Sequence, residues 1–252
     1  MKMKRFAVIC KYEGLLFLRD FFGFFFTLVF PTLMLVIFGS IYGNAPISPE
    51  TELGAMDVSV PAYAVMVIGV TGLMAFPLTL SECKEKKIYK RYDATPAGKR
   101  SIILAQILVN FVMTLIGILI LLIAGRALYG VKILGSAGAV AISLFISVAA
   151  LFSMGFLFTS VAPDAKIANV LCYVFYFVML FLSGATIPDM LFSGTVRMVS
   201  KFLPMTYAVD LLQGAFAGEG LLTHRTELLV LSVLTVLFAG VGAVCYKKKD
   251  WA

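Results

Sequence analysis

The sequence predicts an all-α membrane protein with six transmembrane helices and cytoplasmic termini. The first observation is composition: the 252 residues are 61% hydrophobic, only 14% are charged, and the mean hydropathy is +0.98. A soluble domain has about a quarter charged residues, so this chain lacks the polar surface that a globule in water needs. The second is a set of six long apolar stretches, and the third is the distribution of Lys and Arg between them.

Each apolar stretch is long enough to be a membrane span. A helix needs about 20 apolar residues to cross the hydrocarbon core. Six stretches without Asp, Glu, Lys or Arg meet that length, at 21–42, 60–80, 102–124, 136–160, 167–187 and 228–246. They are continuous rather than alternating, which favours helices over barrel strands. The first is too long for a signal-peptide core, and we interpret residues 1–252 as one membrane domain.

The basic residues favour one orientation, because Lys and Arg are enriched in cytoplasmic loops. With both termini inside, sixteen of the 21 Lys and Arg residues lie inside and five outside. Those inside are Lys2, Lys4, Arg5, Lys11, Arg19, Lys84, Lys86, Lys87, Lys90, Arg91, Lys99, Arg100, Lys166, Lys247, Lys248 and Lys249. Those outside are Arg126, Lys132, Arg197, Lys201 and Arg225. Sidedness therefore accounts for the net charge of +7, and we expect no nucleic-acid partner.

Two cytoplasmic segments carry most of these charges. Residues 2–20 mix apolar and charged side chains, and their weak amphipathic pattern fits either a helix along the inner leaflet or a short anchoring extension. Residues 81–100 are the most charged segment, with helix formers from Glu82 to Tyr92 and then a turn at Pro96. This segment fits either an ordinary positive-inside loop or a short helix that docks on another protein.

Two longer segments are expected outside. Residues 43–59 are expected to form a polar loop without further structure. Residues 188–225 are unusually apolar for a loop, and Pro188 and Pro204 divide them into pieces too short to span a bilayer. We therefore expect re-entrant or interfacial helices there. Asp210, within this apolar run, is expected to face a polar cavity or, in preference, to cap a helix.

The sequence lacks motifs for catalysis or ion coupling. It has no G-x-x-x-x-G-K-[ST] phosphate loop and a single histidine, His224, so we expect no enzyme activity, metal or cofactor on this chain. No predicted span contains a charged residue of the kind that marks an ion or proton pathway. This disfavours an ion-coupled carrier and a selective cation channel. A transporter driven by a separate motor needs no such residue, and the motor would contact residues 82–100.

Two motifs accompany the six spans and the basic tail. The stretch after the second span contains Glu82, Glu85, Lys86, Lys87 and Ile88, then Ala94-Thr95-Pro96 and Arg100. The outer segment contains Ser183-Gly184, Ile187-Pro188, Leu203-Pro204-Met205-Thr206-Tyr207 and Asp210-Leu211-Leu212. Over the whole chain this layout resembles the ABC-2 type permeases, which have the type V or ABCG-like exporter fold. The sequence departs from the family pattern at Lys86-Lys87, where Gly-Thr is usual, and at Gln213, where Arg is usual.

The resemblance implies partners and a source of energy. Two such domains pair as a homodimer or heterodimer within the lipid, and each recruits a cytoplasmic ABC ATPase subunit, which binds the ATP and Mg. The residues expected to couple this chain to the ATPase are Glu82, Glu85, Lys86, Ile88, Tyr89, Tyr92 and Pro96, with Asp164 in a second, smaller contact. The segment 188–216 is expected to form a re-entrant lid over the exit, with Pro188, Pro204, Tyr207 and Asp210.

The resemblance also implies that substrate lies between the protomers, against the second and fifth spans. The candidate residues are Met66, Met74, Phe76, Phe175, Phe177, Met179 and Phe181, and the alternative is that each only packs or faces lipid. A cavity of Phe and Met is adaptable and apolar, which favours a drug, an antibiotic or peptide, or a lipid-linked molecule.

We therefore predict the permease subunit of an ATP-driven exporter in a bacterial plasma membrane. It would move a hydrophobic or amphipathic substrate out of the cytoplasm or the inner leaflet. The alternative is a non-transporting scaffold or immunity protein that binds a toxin or partner. A membrane enzyme acting on lipids is disfavoured, because the sequence offers no cluster of polar catalytic residues.

Overall fold

The computed structural model describes residues 2–46, 53–93, 98–187 and 192–248. The helices of this part of the chain are α1 Lys2–Arg19, α2 Phe21–Tyr42, α3 Ala55–Glu85, α4 Ile88–Asp93, α5 Gly98–Tyr129, α6 Ala137–Val161, α7 Ala165–Leu182, α8 Gly194–Ser200, α9 Pro204–Ala217 and α10 Arg225–Lys248. Six of them, α2, α3, α5, α6, α7 and α10, are long and apolar enough to cross a membrane. The six predicted spans are therefore confirmed.

The helix α3 is longer than the sequence prediction of 60–80. It covers Ala55–Glu85, 31 residues, and is about 46 Å long at 1.5 Å per residue. A bilayer with its headgroup regions is about 40–45 Å thick. The apolar run marks only the part within the hydrocarbon, whereas the helix continues as long as its backbone hydrogen bonds do.

The helix α7 ends earlier than predicted, at Leu182 rather than at residue 187. Ser183 is its C-cap, with its N–H donated to the Met179 carbonyl over 2.9 Å. Gly184 follows with φ of 84°, a left-handed conformation that glycine adopts without steric cost. The Ser183-Gly184 pair therefore ends the helix while the chain is still apolar.

The helix α3 lies at the centre of the bundle. In its most apolar window 89% of residues are buried, whereas the other five spans range from 11% to 50%. It contacts α2, α5, α6, α7 and α9. Lipid tails are as apolar as leucine, so close packing rather than escape from water holds such helices together.

Glycines allow α3 and α6 to approach each other closely. A side chain at Gly155 of α6 would collide with the carbonyl oxygen of Gly72 in α3, and would lie 2.6 Å from the Pro77 ring. A side chain at Gly72 would lie 2.9 Å from the Phe152 ring. Small residues at a helix contact maximise van der Waals packing within a membrane. The close contact between α3 and α6 therefore depends on glycine at both positions.

Two spans contain a π-helical segment, Phe25–Val29 in α2 and Thr71–Ala75 in α3. Pro31 and Pro77 each follow the end of a segment by two residues. A proline has no N–H to donate, and its ring collides with the carbonyl four residues earlier in an α-helix. The wider π-helical turn relieves that collision.

The short helices α8 and α9 follow α7. The predicted break at Pro204 is confirmed, since this proline opens α9 at its first turn. Pro188, the other predicted break, lies outside the described residues. The helix α9 packs on α3, α6 and α10, and Gly218 ends it with φ of 88°.

The N-terminal residues, expected as a helix along the inner leaflet or as a short anchoring extension, form the helix α1. It packs along α5 and is separated from α2 only by Asp20. An Asp20 carboxylate oxygen accepts a hydrogen bond from the Gly23 N–H over 3.1 Å and so caps the start of α2.

Candidate functional site

Six of the residues predicted to couple the chain to an ATPase lie at the end of α3, in the turn after it and in α4. Glu82 and Glu85 belong to the last turn of α3, and Tyr89 belongs to α4. Lys86 and Lys87 form the turn between them, with Lys87 at φ of 55°. The short helix predicted here is present, but it begins at Ile88 rather than near Glu82, because the left-handed Lys87 ends α3 at a cost of about 1–2 kcal/mol.

The short helix α4 is attached to the bundle through Tyr89, which is 5% exposed. Its hydroxyl donates a hydrogen bond to Gln106 Oε1 of α5 over 2.8 Å. Gln106, fully buried, donates from Nε2 to Glu13 of α1 and to Cys83 Sγ of α3, each over 3.3 Å. One amide thus joins α1, α3, α4 and α5, and we call Glu13, Cys83, Tyr89 and Gln106 the Gln106 cluster.

The electrostatics of the Gln106 cluster follow from its burial. Burial raises the pKa of the Glu13 carboxyl, and the hydrogen bond from Gln106 partly opposes that rise. Burial is also the main cause of the raised pKa of Tyr89. The tyrosine therefore stays protonated and remains a hydrogen-bond donor at physiological pH.

The same end of α3 is joined to two more spans. Ser81 Oγ donates to Asn169 Oδ1 of α7 over 3.2 Å. The Lys84 ammonium, on a residue only 8% exposed, lies 4.9 Å from the centre of the Tyr246 ring of α10, within the range of a cation–π interaction. These contacts would transmit a movement of this end of α3 to α5, α7 and α10.

The outward side of this end carries exposed charge. Lys86 Nζ lies 2.7 Å from Glu82 Oε2, with side chains that are 64% and 47% exposed. The hydrogen bond to Glu82 is the main cause of the raised pKa of Lys86. Tyr92 is 37% exposed, and Ile88 is half-buried. Pro96, the remaining predicted residue of this segment, lies outside the described residues.

Asp164 lies at the start of α7, as its N-cap. Its Oδ1 accepts a hydrogen bond from the Ile167 N–H over 2.7 Å. The side chain therefore has a local role in starting the helix. A contact with an ATPase through this turn stays a prediction.

A row of polar residues extends from the Gln106 cluster into α5, and the sequence reasoning missed it. Gln106, Asn110 and Thr114 are spaced by four, so they lie on one face of the helix. Asn110 Nδ2 donates to the Gln106 carbonyl over 2.9 Å, and Thr114 Oγ1 donates to Thr71 Oγ1 of α3 over 2.7 Å. The sequence contains a signal for this row, namely uncharged polar residues at a spacing of four within an apolar span. The sequence reasoning considered only charged residues in the spans.

This row ends at both π-helical segments. Thr71 is the first residue of the segment in α3. Three residues beyond Thr114, a side chain at Gly117 would lie 2.9 Å from the Thr27 carbonyl oxygen in the segment of α2. The buried atoms Asn110 Oδ1 and Thr27 Oγ1 accept or donate no hydrogen bond within the described residues. The irregular backbone of α2 and α3 therefore faces α5 at the end of its polar row.

The other end of α3 carries a second unexpected group, around Asp57. The carboxylate accepts from the Gly54 N–H over 2.8 Å and from the Lys132 N–H over 2.9 Å. Asn44 Nδ2 lies 3.3 Å from the same carboxylate, and Asn44 Oδ1 accepts from the Met56 N–H over 3.0 Å. The expectation of an unstructured polar loop at 43–59 is therefore wrong for its last residues, because Asp57 caps α3 and joins it to the ends of α2 and α5.

The candidate substrate residues fall into separate groups. Met66, Phe76 and Met179 are at most 2% exposed, and the Phe76 ring stacks on Phe152 with centres 5.5 Å apart. Met74, 8% exposed, lines a small cavity that is open to the surface. The remaining candidates lie exposed on α7, at Phe175, Phe177 and Phe181.

The cavity beside Met74 lies between the start of α2, the middle of α3 and α7. Val70, Asp20, Phe22 and Tyr173 also line it. Of the seven candidates, Met74 alone lines this cavity. Their contact with substrate stays a prediction.

The predicted exit-lid residues lie at the α8–α9 corner. Tyr207 donates its hydroxyl hydrogen to the Lys201 carbonyl over 2.7 Å, and Pro204 is buried. Asp210 lies in the interior of α9, whose N-cap is Leu203. Asp210 therefore does not cap α9, and a capping contact with another helix stays a prediction.

The sequence matches one protein family. The sequence profile of a family described as ABC-2 type transporter matches residues 4–217 of the 252. The match includes α1 to α9 and therefore both ends of α3. No curated protein matches the sequence.

Proposed function

Because this chain belongs to the ABC-2 type transporter family and is the membrane-spanning permease part of an ABC transporter, we propose that it is an exporter subunit driven by a separate ATPase. The observation that carries the proposal is the family match over residues 4–217, which include five of the six spans. The ATPase subunit would bind the ATP and Mg, since the chain has no phosphate loop.

The arrangement of α4 supports a docking role for this end of the bundle. Tyr89 fixes one side of the short helix to α5, while Tyr92 on the same helix and the Glu82–Lys86 pair beside it are exposed. A helix that transmits movement needs one side bound to the moving part and another available to the motor. We propose that the ATPase contacts this exposed side, and the enrichment of Lys and Arg there supports a cytoplasmic location.

The contacts of α3 support a route for that movement into the membrane. Its Glu82 end is joined to α5, α7 and α10 through Cys83, Ser81 and Lys84 respectively. Beyond this end, α3 is buried by the other helices along the bilayer. A push on α4 would therefore shift α3 together with its neighbours, and not α4 alone.

An exposed stripe on α7 supports pairing with a second permease protomer. Val170, Val174, Phe177 and Phe181 follow the helical spacing of four, three and four residues, and each is at least 40% exposed. We propose that this stripe faces the second protomer and that a hydrophobic or amphipathic substrate passes beside it. The corner between α8 and α9 would then cover the exit.

Reconstitution tests the proposal. The chain and its co-purifying ATPase are placed in vesicles, and ATP-dependent movement of rhodamine 6G and of a fluorescent phospholipid is measured. We expect ATP to drive movement of at least one probe, and we expect the chain without the ATPase to hydrolyse no ATP. An intact complex that moves no amphipathic compound would favour the scaffold alternative.

A further inference from the structure

The helix α1 turns its acidic side chain toward the bundle. Glu13 accepts a hydrogen bond from Gln106 of α5, and Phe17, one turn later on the same side, is 7% exposed. Among the described side chains of α1, Glu13 is the only acid. The opposite side of the helix therefore presents no negative charge from these residues.

That opposite side combines cations with large apolar residues. Lys4, Lys11 and Arg19 are exposed. Val8 is 67% exposed and Tyr12 64% exposed. At 100° per residue, all five lie within about 100° of the helix circumference, and Leu15 lies in the same arc. We call these six residues the outer face of α1.

The outer face continues into the first span. Only Asp20 separates Arg19 from α2, and Phe21 and Phe22, which open α2, are 68% and 64% exposed. The helix is thus held where a membrane-crossing segment begins, at the boundary between headgroups and acyl chains. An amphipathic helix with Lys and Arg at that depth is attracted to anionic lipids.

We propose that the outer face of α1 binds anionic phospholipids of the adjoining leaflet. The apolar side chains would enter the acyl boundary while the ammonium and guanidinium groups contact headgroup phosphates. The proposal requires only that the chain is inserted in a membrane, and it is independent of transport and of the ATPase.

The experiment uses the full chain with Tyr12→Trp as a reporter on the outer face. The native tryptophan, Trp251, is replaced by phenylalanine. The protein is reconstituted in phosphatidylcholine–phosphatidylglycerol vesicles in which either lipid carries a bromine quencher at the same mole fraction. We expect stronger quenching by the brominated phosphatidylglycerol.

Matched triple variants test the role of charge. Lys4→Gln, Lys11→Gln and Arg19→Gln together should remove the preference for the anionic lipid, with each cation contributing up to about fivefold at low salt. The control variant carries Arg126→Gln, Lys132→Gln and Arg197→Gln, which also removes three charges, and should keep the preference. Gel filtration with detection by protein fluorescence establishes that both variants are folded.

Three results would overturn the proposal. Equal quenching by the two brominated lipids would mean that the outer face does not select anionic lipid. No quenching by either would mean that the face is not in the membrane. Loss of quenching in the complex with the co-purifying ATPase would mean that protein, and not lipid, covers the face in the assembled transporter.

Discussion

At the scale of single residues, the Gln106 side chain connects α5 with three other helices. It is fully buried, and its amide bonds with Tyr89, Glu13 and Cys83, each on a different helix. Since a buried amide must find its partners within the protein, the positions of these helices depend on one another. The family resemblance predicted Tyr89 as a coupling residue, a role that stays a prediction, but a glutamine in an apolar span gave no sign of its three partners.

Tyr89→Phe should destabilise the folded protein by about 1–2 kcal/mol, because it removes the donor to a buried Gln106 oxygen. Reversible unfolding in mixed micelles measures the free energy of unfolding of each variant. The matched control is Tyr12→Phe, which removes a hydroxyl from a side chain that is 64% exposed and should change little. Equal effects of the two substitutions would show that the buried hydrogen bond is not important.

Glu13→Gln should change how stability depends on pH. Burial raises the pKa of Glu13 in the folded state, so above its ordinary value the folded protein binds more protons than the unfolded chain does. Stability therefore falls as pH rises from the ordinary pKa through the raised one. The glutamine variant lacks that fall and should be more stable than the wild type at neutral pH, with the difference vanishing at acidic pH.

Unfolding measured across the acidic and neutral range tests this sign. Glu85→Gln, at an exposed position, provides the control and should follow the wild-type curve. A glutamine variant at residue 13 that is less stable at neutral pH would contradict the assignment, because it would mean that the charged carboxylate is the favoured form.

At the scale of secondary-structure elements, the membrane spans were predictable and their irregularities were not. Hydropathy identifies each span because a helix of about 20 apolar residues has no other stable environment. The π-helical segments before Pro31 and Pro77 also pack against a neighbouring span, and no single span contains information about that packing. The start of α3 was missed for a similar reason, since Asp57 is stabilised by Asn44 and by the Lys132 backbone, both distant in sequence.

The contact between α3 and α6 gives a prediction at this scale. Gly155→Ala should destabilise the protein by about 1–3 kcal/mol, because the new methyl group collides with the Gly72 carbonyl and forces α6 away from α3. The control is Gly240→Ala in α10, where the added methyl group meets no atom within 4 Å. Thermal unfolding in detergent measures both, and a loss at residue 240 equal to that at 155 would contradict the packing argument.

At the scale of the whole molecule, the other spans surround α3, whose Glu82 end is partly exposed. The Glu82 end of α3 and the adjoining α4 are partly exposed, whereas the rest of α3 is enclosed by other spans. Sequence predicted this charged end as the contact with a motor, because the spans carry no ion-coupling charges. It did not predict that this charged segment divides between α3 and α4, since the left-handed Lys87 has no signal in composition.

The measurement that tests the account most directly compares two charge reversals in the reconstituted complex with its ATPase. Glu82→Lys changes the exposed pair with Lys86 at the proposed coupling end. Glu219→Lys changes a glutamate of similar exposure, which pairs with the less exposed His224 beyond α9. We predict that Glu82→Lys lowers ATP-driven movement of the transported probe by about tenfold or more without loss of membrane insertion, while Glu219→Lys leaves it within about twofold. Normal transport by Glu82→Lys, or an equal loss in Glu219→Lys, would contradict the claim that force enters through this end of α3.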